Sequence, residues 1–114
     1  MALTFTPSIP APGVELYTYD NLDSSDTLPP VITPGDSISV LGSIQAVGTF
    51  GGGTVVLQGS NDGTNWVNLT DTQGTAIGLT AAGGAEFSSA FLSFRPLITG
   101  GSGDDVDVFI VLRG

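Results

Sequence analysis

Between Gly48 and Trp66 the chain reads GTFGGGTVVLQGSNDGTNW: a glycine turn, a short apolar strand and an Asn-Asp-Gly turn in immediate succession. Glycine supplies the positive φ that tight turns require, and the Val-Val-Leu run between the turns prefers an extended backbone. Turns this close together leave no room for a helix, so the segment dictates antiparallel strands. Similar punctuation recurs at residues 81–84 (AAGG) and 100–105 (GGSGDD). No stretch carries a 3.6-residue apolar period long enough for a stable helix. The expected fold is all-β, a single antiparallel β-sandwich or jelly-roll domain with an extended N-terminal arm.

Proline and glycine divide the chain. Six of the seven prolines fall within residues 1–34, and sixteen of the seventeen glycines lie from Gly35 onward. Proline fixes φ and biases the residue before it toward β or polyproline conformations. Residues 1–13 (MALTFTPSIPAPG) therefore read as an extended Pro-rich arm, and residues 14–114 as the sandwich domain. On the arm and its junction, Leu3, Phe5, Ile9 and Val14 are the apolar residues offered to a partner. Alternation predicts strands at Val14–Tyr19, Ser37–Val47, Thr54–Gly59, Asn65–Leu69, Thr75–Thr80, Ala85–Arg95 and Val106–Arg113. Residues 20–36, with four aspartates and three prolines, form a long connection.

Charge excludes several classes of function. The net charge is −9, with no lysine or histidine and only Arg95 and Arg113 as cations. Nucleic-acid binding requires cations to displace counterions from phosphate, and an anionic membrane surface repels an acidic domain. No apolar run approaches the ~18 residues of a membrane-spanning helix. Only 11% of residues are charged, against about 25% in an average domain. Such a surface can be covered by a neighbour without stranding many ions.

The chemistry of catalysis is missing. Without histidine, cysteine or lysine, no Ser-His-Asp, Cys-His or Ser-Lys arrangement can be assembled. Most aspartates sit in turns, where they bond local backbone, which leaves no evident carboxylate pair. No catalytic residue, cofactor site or metal site is expected. The oxygen-rich segments Ser60–Asn65 and Asp104–Asp107 are explained by turn chemistry; of the two, Asp104–Asp107 is the better candidate for calcium. Trp66, just after a hairpin turn, reads as a core anchor. The alternative is an exposed ring that stacks on a sugar, a role also open to Tyr17 and Tyr19.

LQGSNDGTNWVNL (57–69) resembles the Ser-x-Asp-Gly-x-x-Trp hairpin of discoidin-like β-sandwich domains, and FLSFRP (91–96) resembles their aromatic-Arg segment. Their ligand loops and stapling cysteines are missing here, so this resemblance implies the sandwich and not lectin or lipid binding. Over residues 48–114 the ordered series of Gly-Thr-Phe-Gly-Gly turn, Gln-Gly-Ser-x-Asp-Gly-x-x-Trp hairpin, Arg-Pro and Gly-Gly turn is similar to small virion proteins of tailed bacteriophages. That resemblance implies a structural protein of the capsid surface, made in the bacterial cytoplasm. Its implied role is head decoration (cement), with the major capsid protein and neighbouring copies of itself as partners. The rival expectation is a carbohydrate-binding or adhesion module of a tail or head fibre.

Overall fold

The computed structural model describes residues 5–11, 13–26, 29–34 and 40–113. The described residues form eight strands: β1 (Phe5–Ala11), β2 (Val14–Leu22), β3 (Val40–Thr49), β4 (Thr54–Ser60), β5 (Val67–Asn68), β6 (Gly83–Ser89), β7 (Ser93–Thr99) and β8 (Asp105–Arg113). They form a five-stranded sheet in the order β1-β2-β8-β3-β6 and a three-stranded sheet in the order β5-β4-β7. Every pairing is antiparallel, and the described residues contain no helix. The fold is an all-β sandwich, as the turn spacing predicts.

The core follows from alternation. In β8, Val106, Val108, Ile110 and Leu112 are buried, and they join Tyr19, Ile44 and Ala46 of the same sheet against Val55, Leu57, Phe94 and Ile98 of the other. Phe87 of β6 and Phe94 of β7 meet across the sandwich with ring centres 5.9 Å apart and planes tilted by 50°, an arrangement their quadrupoles favour. Fully burying each such side chain stabilises the fold by about 1.5–3 kcal/mol.

The residues between those core positions face outward. Register places Leu16, Val111, Ser43 and Glu86 in one row across the large sheet, and Thr18, Phe109, Gln45 and Gly84 in the next. A third row holds Val14, Arg113, Leu41 and Ser88. Leu16, Phe109 and Val111 are half-buried on this face, and Leu41 is 54% exposed.

The N-terminal segment is extended, and from Phe5 to Ala11 it pairs with β2 of its own chain through a turn at Gly13 (φ 75°). It is the edge strand of the large sheet. Pro7 and Pro10 lie within it, each without a backbone donor, as an edge strand tolerates.

Two strand expectations are corrected. Residues Thr75–Thr80 form no strand: Ile77 donates to the Leu69 carbonyl, whereas Leu79 exchanges both backbone bonds with Val55. Bonds shared between two different partners build no continuous ladder. Residues Ala85–Arg95 are not one strand but parts of two, β6 in the large sheet and β7 in the small one. The chain crosses between the layers at residues 90–92, where the Phe91 ring packs over Gly59. A Cβ on Gly59 would lie 2.8 Å from that ring, so the crossing needs glycine there.

Candidate functional site

The outer face of the small sheet carries a polar row. Gln58 of β4 is paired in register with Asn68 of β5 on one side and Arg95 of β7 on the other. Its side-chain amide links them: Gln58 Nε2 donates to Asn68 Oδ1 at 3.0 Å, and Arg95 Nε donates to Gln58 Oε1 at 2.9 Å. Trp66 precedes Asn68 by two residues and shares its face. The Arg95 guanidinium carbon lies over the indole, 4.2 Å from the ring centre, within cation–π range. Partial burial lowers the pKa of Arg95 from its ordinary value, yet a guanidinium stays charged at neutral pH.

The expectation that Trp66 anchors the core is therefore corrected. The indole is half-buried and lies outside the core cluster. It stands in a cleft of about 560 Å³, walled by Pro29, Pro30, Val31, Gly63 and Thr64 together with Arg95. The signal was present in the sequence, because alternation puts Trp66 on the same side as Asn68, a residue unsuited to an apolar interior. Tyr19 is fully buried and donates to the Pro30 carbonyl, and Tyr17 is half-buried and donates to Glu15 Oε1 at 3.2 Å. Of the three aromatics weighed as a sugar platform, Trp66 lines this cleft.

Two loops shape the cleft. In the turn after β4, Asp62 accepts hydrogen bonds from the backbone of Asn65 (2.8 Å) and Thr64 (2.9 Å), from Asn65 Nδ2 (2.8 Å) and from Ser60 Oγ (3.0 Å). These donors, the Asn65 backbone first, hold its carboxyl far below the usual carboxylate range. Gly63 adopts the φ of 75° that the Asp-Gly pair predicts. Asn61 Oδ1 accepts from the Leu92 backbone at 2.9 Å, tying this turn to the β6–β7 crossing. The opposite wall, Pro29-Pro30-Val31, is pinned beside β7 by reciprocal backbone bonds between Ile32 and Phe94.

The other candidates do not converge on a site. Leu3 lies outside the described residues, and Phe5 begins β1 opposite Tyr19 of β2. Ile9 is 73% exposed on β1, and Val14 is half-buried in the row with Arg113 and Leu41. The aspartates of Asp104–Asp107 point to different tasks. Asp104 is buried and accepts from Ser24 Oγ at 3.1 Å, Asp105 is exposed, and Asp107 accepts from the Asn21 backbone at 3.0 Å. Asn21 itself takes a left-handed φ of 60° at the bulge in β2. Among the described residues no group of three or more acidic side chains is placed to share a metal ion.

No protein-family model matches the sequence, and no curated protein matches it either. Among solved structures, a carbohydrate-binding module from Cellvibrio mixtus lichenase 5A, in complex with cellotriose, overlays with a TM-score of 0.33 and 14% identity. The overlay covers 99% of this chain and 87% of that one. A likeness this slight carries no argument about function.

Proposed function

We propose that this domain is a non-enzymatic structural protein of a phage virion, a decoration protein that binds and stabilises the outer head shell. The observation behind this reading is the outer face of the five-stranded sheet, which no other described strand covers and where Leu16, Phe109, Val111 and Leu41 lie in neighbouring rows. Thr18, Ser43, Gln45 and Ser88 share those rows, with Glu86 and Arg113 as their ionic groups. Such a face suits a flat protein neighbour, because covering it desolvates carbon and strands little charge. The resemblance of residues 48–114 to small virion proteins points to the same setting.

The test is to add purified protein to undecorated heads. Binding should saturate at a fixed copy number and raise the temperature at which the shells disrupt. The double variant Phe109→Ser, Val111→Ser should remain folded and lose that binding. Retention by tail components with no binding to heads would refute the decoration role.

A second reading is supported by the Trp66 cleft: an adhesion module that binds carbohydrate. An accessible indole beside guanidinium, amide and hydroxyl groups offers a sugar both a stacking surface and hydrogen bonds. Trp66→Ala should abolish retention on glycans under this reading.

A further inference from the structure

We propose that the Trp66–Arg95 cleft takes a sugar bearing a carboxylate, a uronic or sialic type of residue; this rests on the carbohydrate reading above. Arg95 is one of two cations in a chain of net charge −9. Among the described residues no carboxylate pairs with it; its one hydrogen bond there runs from Nε to Gln58. That bond and the Trp66 ring orient the guanidinium plane and leave its two Nη groups without protein acceptors among the described residues. The nearest acidic residue in sequence to the cleft wall, Asp62, spends its carboxylate on four donors of its own turn. A partly desolvated, pre-oriented cation with no counter-charge among the described residues suits an external anion. The guanidinium fork matches a carboxylate in two parallel hydrogen bonds. The remaining aspartates raise the cost of approach only over short range, since charges are screened beyond about 8 Å at physiological salt.

A sugar fits better than a peptide. Extended peptides gain affinity by adding a strand to a free sheet edge, and beside the cleft Ile32 already occupies the edge of β7 at Phe94. The cleft offers instead an aromatic ring, two proline rings and a threonine around a volume of about 560 Å³, within the range of small-ligand sites. A neutral polyol would meet the ring and the amides but would leave the guanidinium charge without a counter-ion.

The test is titration of the full chain, followed by the fluorescence of its lone tryptophan. The probes are oligosaccharides of galacturonate, of guluronate and mannuronate, and of N-acetylneuraminate, alongside neutral gluco-oligosaccharides and an acidic hexapeptide. At least one acidic sugar should bind, weaken in about 0.5 M salt, and lose about tenfold to a hundredfold in affinity with Arg95→Gln. Arg95→Lys should recover part of the loss. Equal binding of neutral and acidic sugars, unmoved by Arg95→Gln, would overturn the carboxylate proposal and leave the carbohydrate reading standing. Binding of no sugar would overturn both, as would binding of the hexapeptide alone.

Discussion

The hydroxyl of Tyr19, fully buried in β2, donates to the carbonyl of Pro30 at 2.5 Å. One bond thus joins β2 of the large sheet to the wall of the cleft on the small one. Tyr19→Phe leaves that carbonyl without its donor, at a cost of about 1–3 kcal/mol. Urea unfolding should show a lower midpoint at unchanged slope, and Trp66 emission should move to the red as the wall loosens. An unchanged midpoint and spectrum would show that the bond does neither job.

Burial raises the Tyr19 phenol well above its ordinary value of 10.0, with the neighbouring Tyr17 adding to the shift. A raised pKa in the folded state means that the unfolded chain loses its proton first. The contribution to stability is complete below about pH 10 and is lost as pH rises through the folded-state value. Thermal melts from about pH 10 upward should therefore fall steeply for the wild type, and less steeply for Tyr19→Phe.

Asp62 behaves in the opposite sense. Its turn donors hold the folded-state pKa below the unfolded one, so its contribution is present above about pH 4 and disappears as pH falls through the folded-state value. Asp62→Asn should flatten the acid limb of a plot of melting temperature against pH between about 2 and 5, with the difference from wild type largest at neutral pH.

Trp66→Ala should cost far less than Phe94→Ala, although tryptophan is the larger residue. Phe94 is fully buried, and its truncation removes about 3–5 kcal/mol. Trp66 lies outside the core, and its loss should cost about 1 kcal/mol, chiefly the contact with Arg95. Comparable denaturation midpoints for the two variants would contradict this placement.

The Gly51–Gly53 turn offers a matched pair. Gly51 and Gly52 both have positive φ, at 57° and 82°. A Cβ on Gly52 meets nothing within 4 Å, whereas one on Gly51 would lie 2.2 Å from the Ser102 carbonyl oxygen. Gly52→Ala should cost about 1–2 kcal/mol from conformation alone. Gly51→Ala should cost several more, because it must also part the two glycine turns that meet where Ser102 donates to the Gly51 carbonyl.

Local chemistry was legible in the sequence, and sheet membership was not. The alternation of Val106, Val108, Ile110 and Leu112 fixes the inward face of β8, and Asp62-Gly63 announces its turn, because both are decided within a few residues. The break at residues 90–92 is invisible locally: it depends on the Phe91 ring finding space over Gly59, thirty-odd positions away. Thr75–Thr80 alternates well enough for a strand, but its partners belong to separate segments. Its place just after a hairpin turn makes Trp66 read as a core anchor, whereas the polar neighbours on its face, Asn68 and Gln58, argue for the surface. The cleft wall was hidden for a similar reason, since nothing near Pro29 and Pro30 signals that Tyr19 and Phe94 will hold them beside Arg95.

The two open faces of this sandwich look in opposite directions, with one core between them. Seating the large sheet on a support leaves the Trp66 cleft turned outward and unobstructed. On a repeating lattice every seated copy would display that cleft at a fixed spacing. A site too weak to hold a ligand by itself would then act through its multiplicity. On the decoration reading, the face that would reinforce a surface and the cleft that would give it an avid exterior lie back to back.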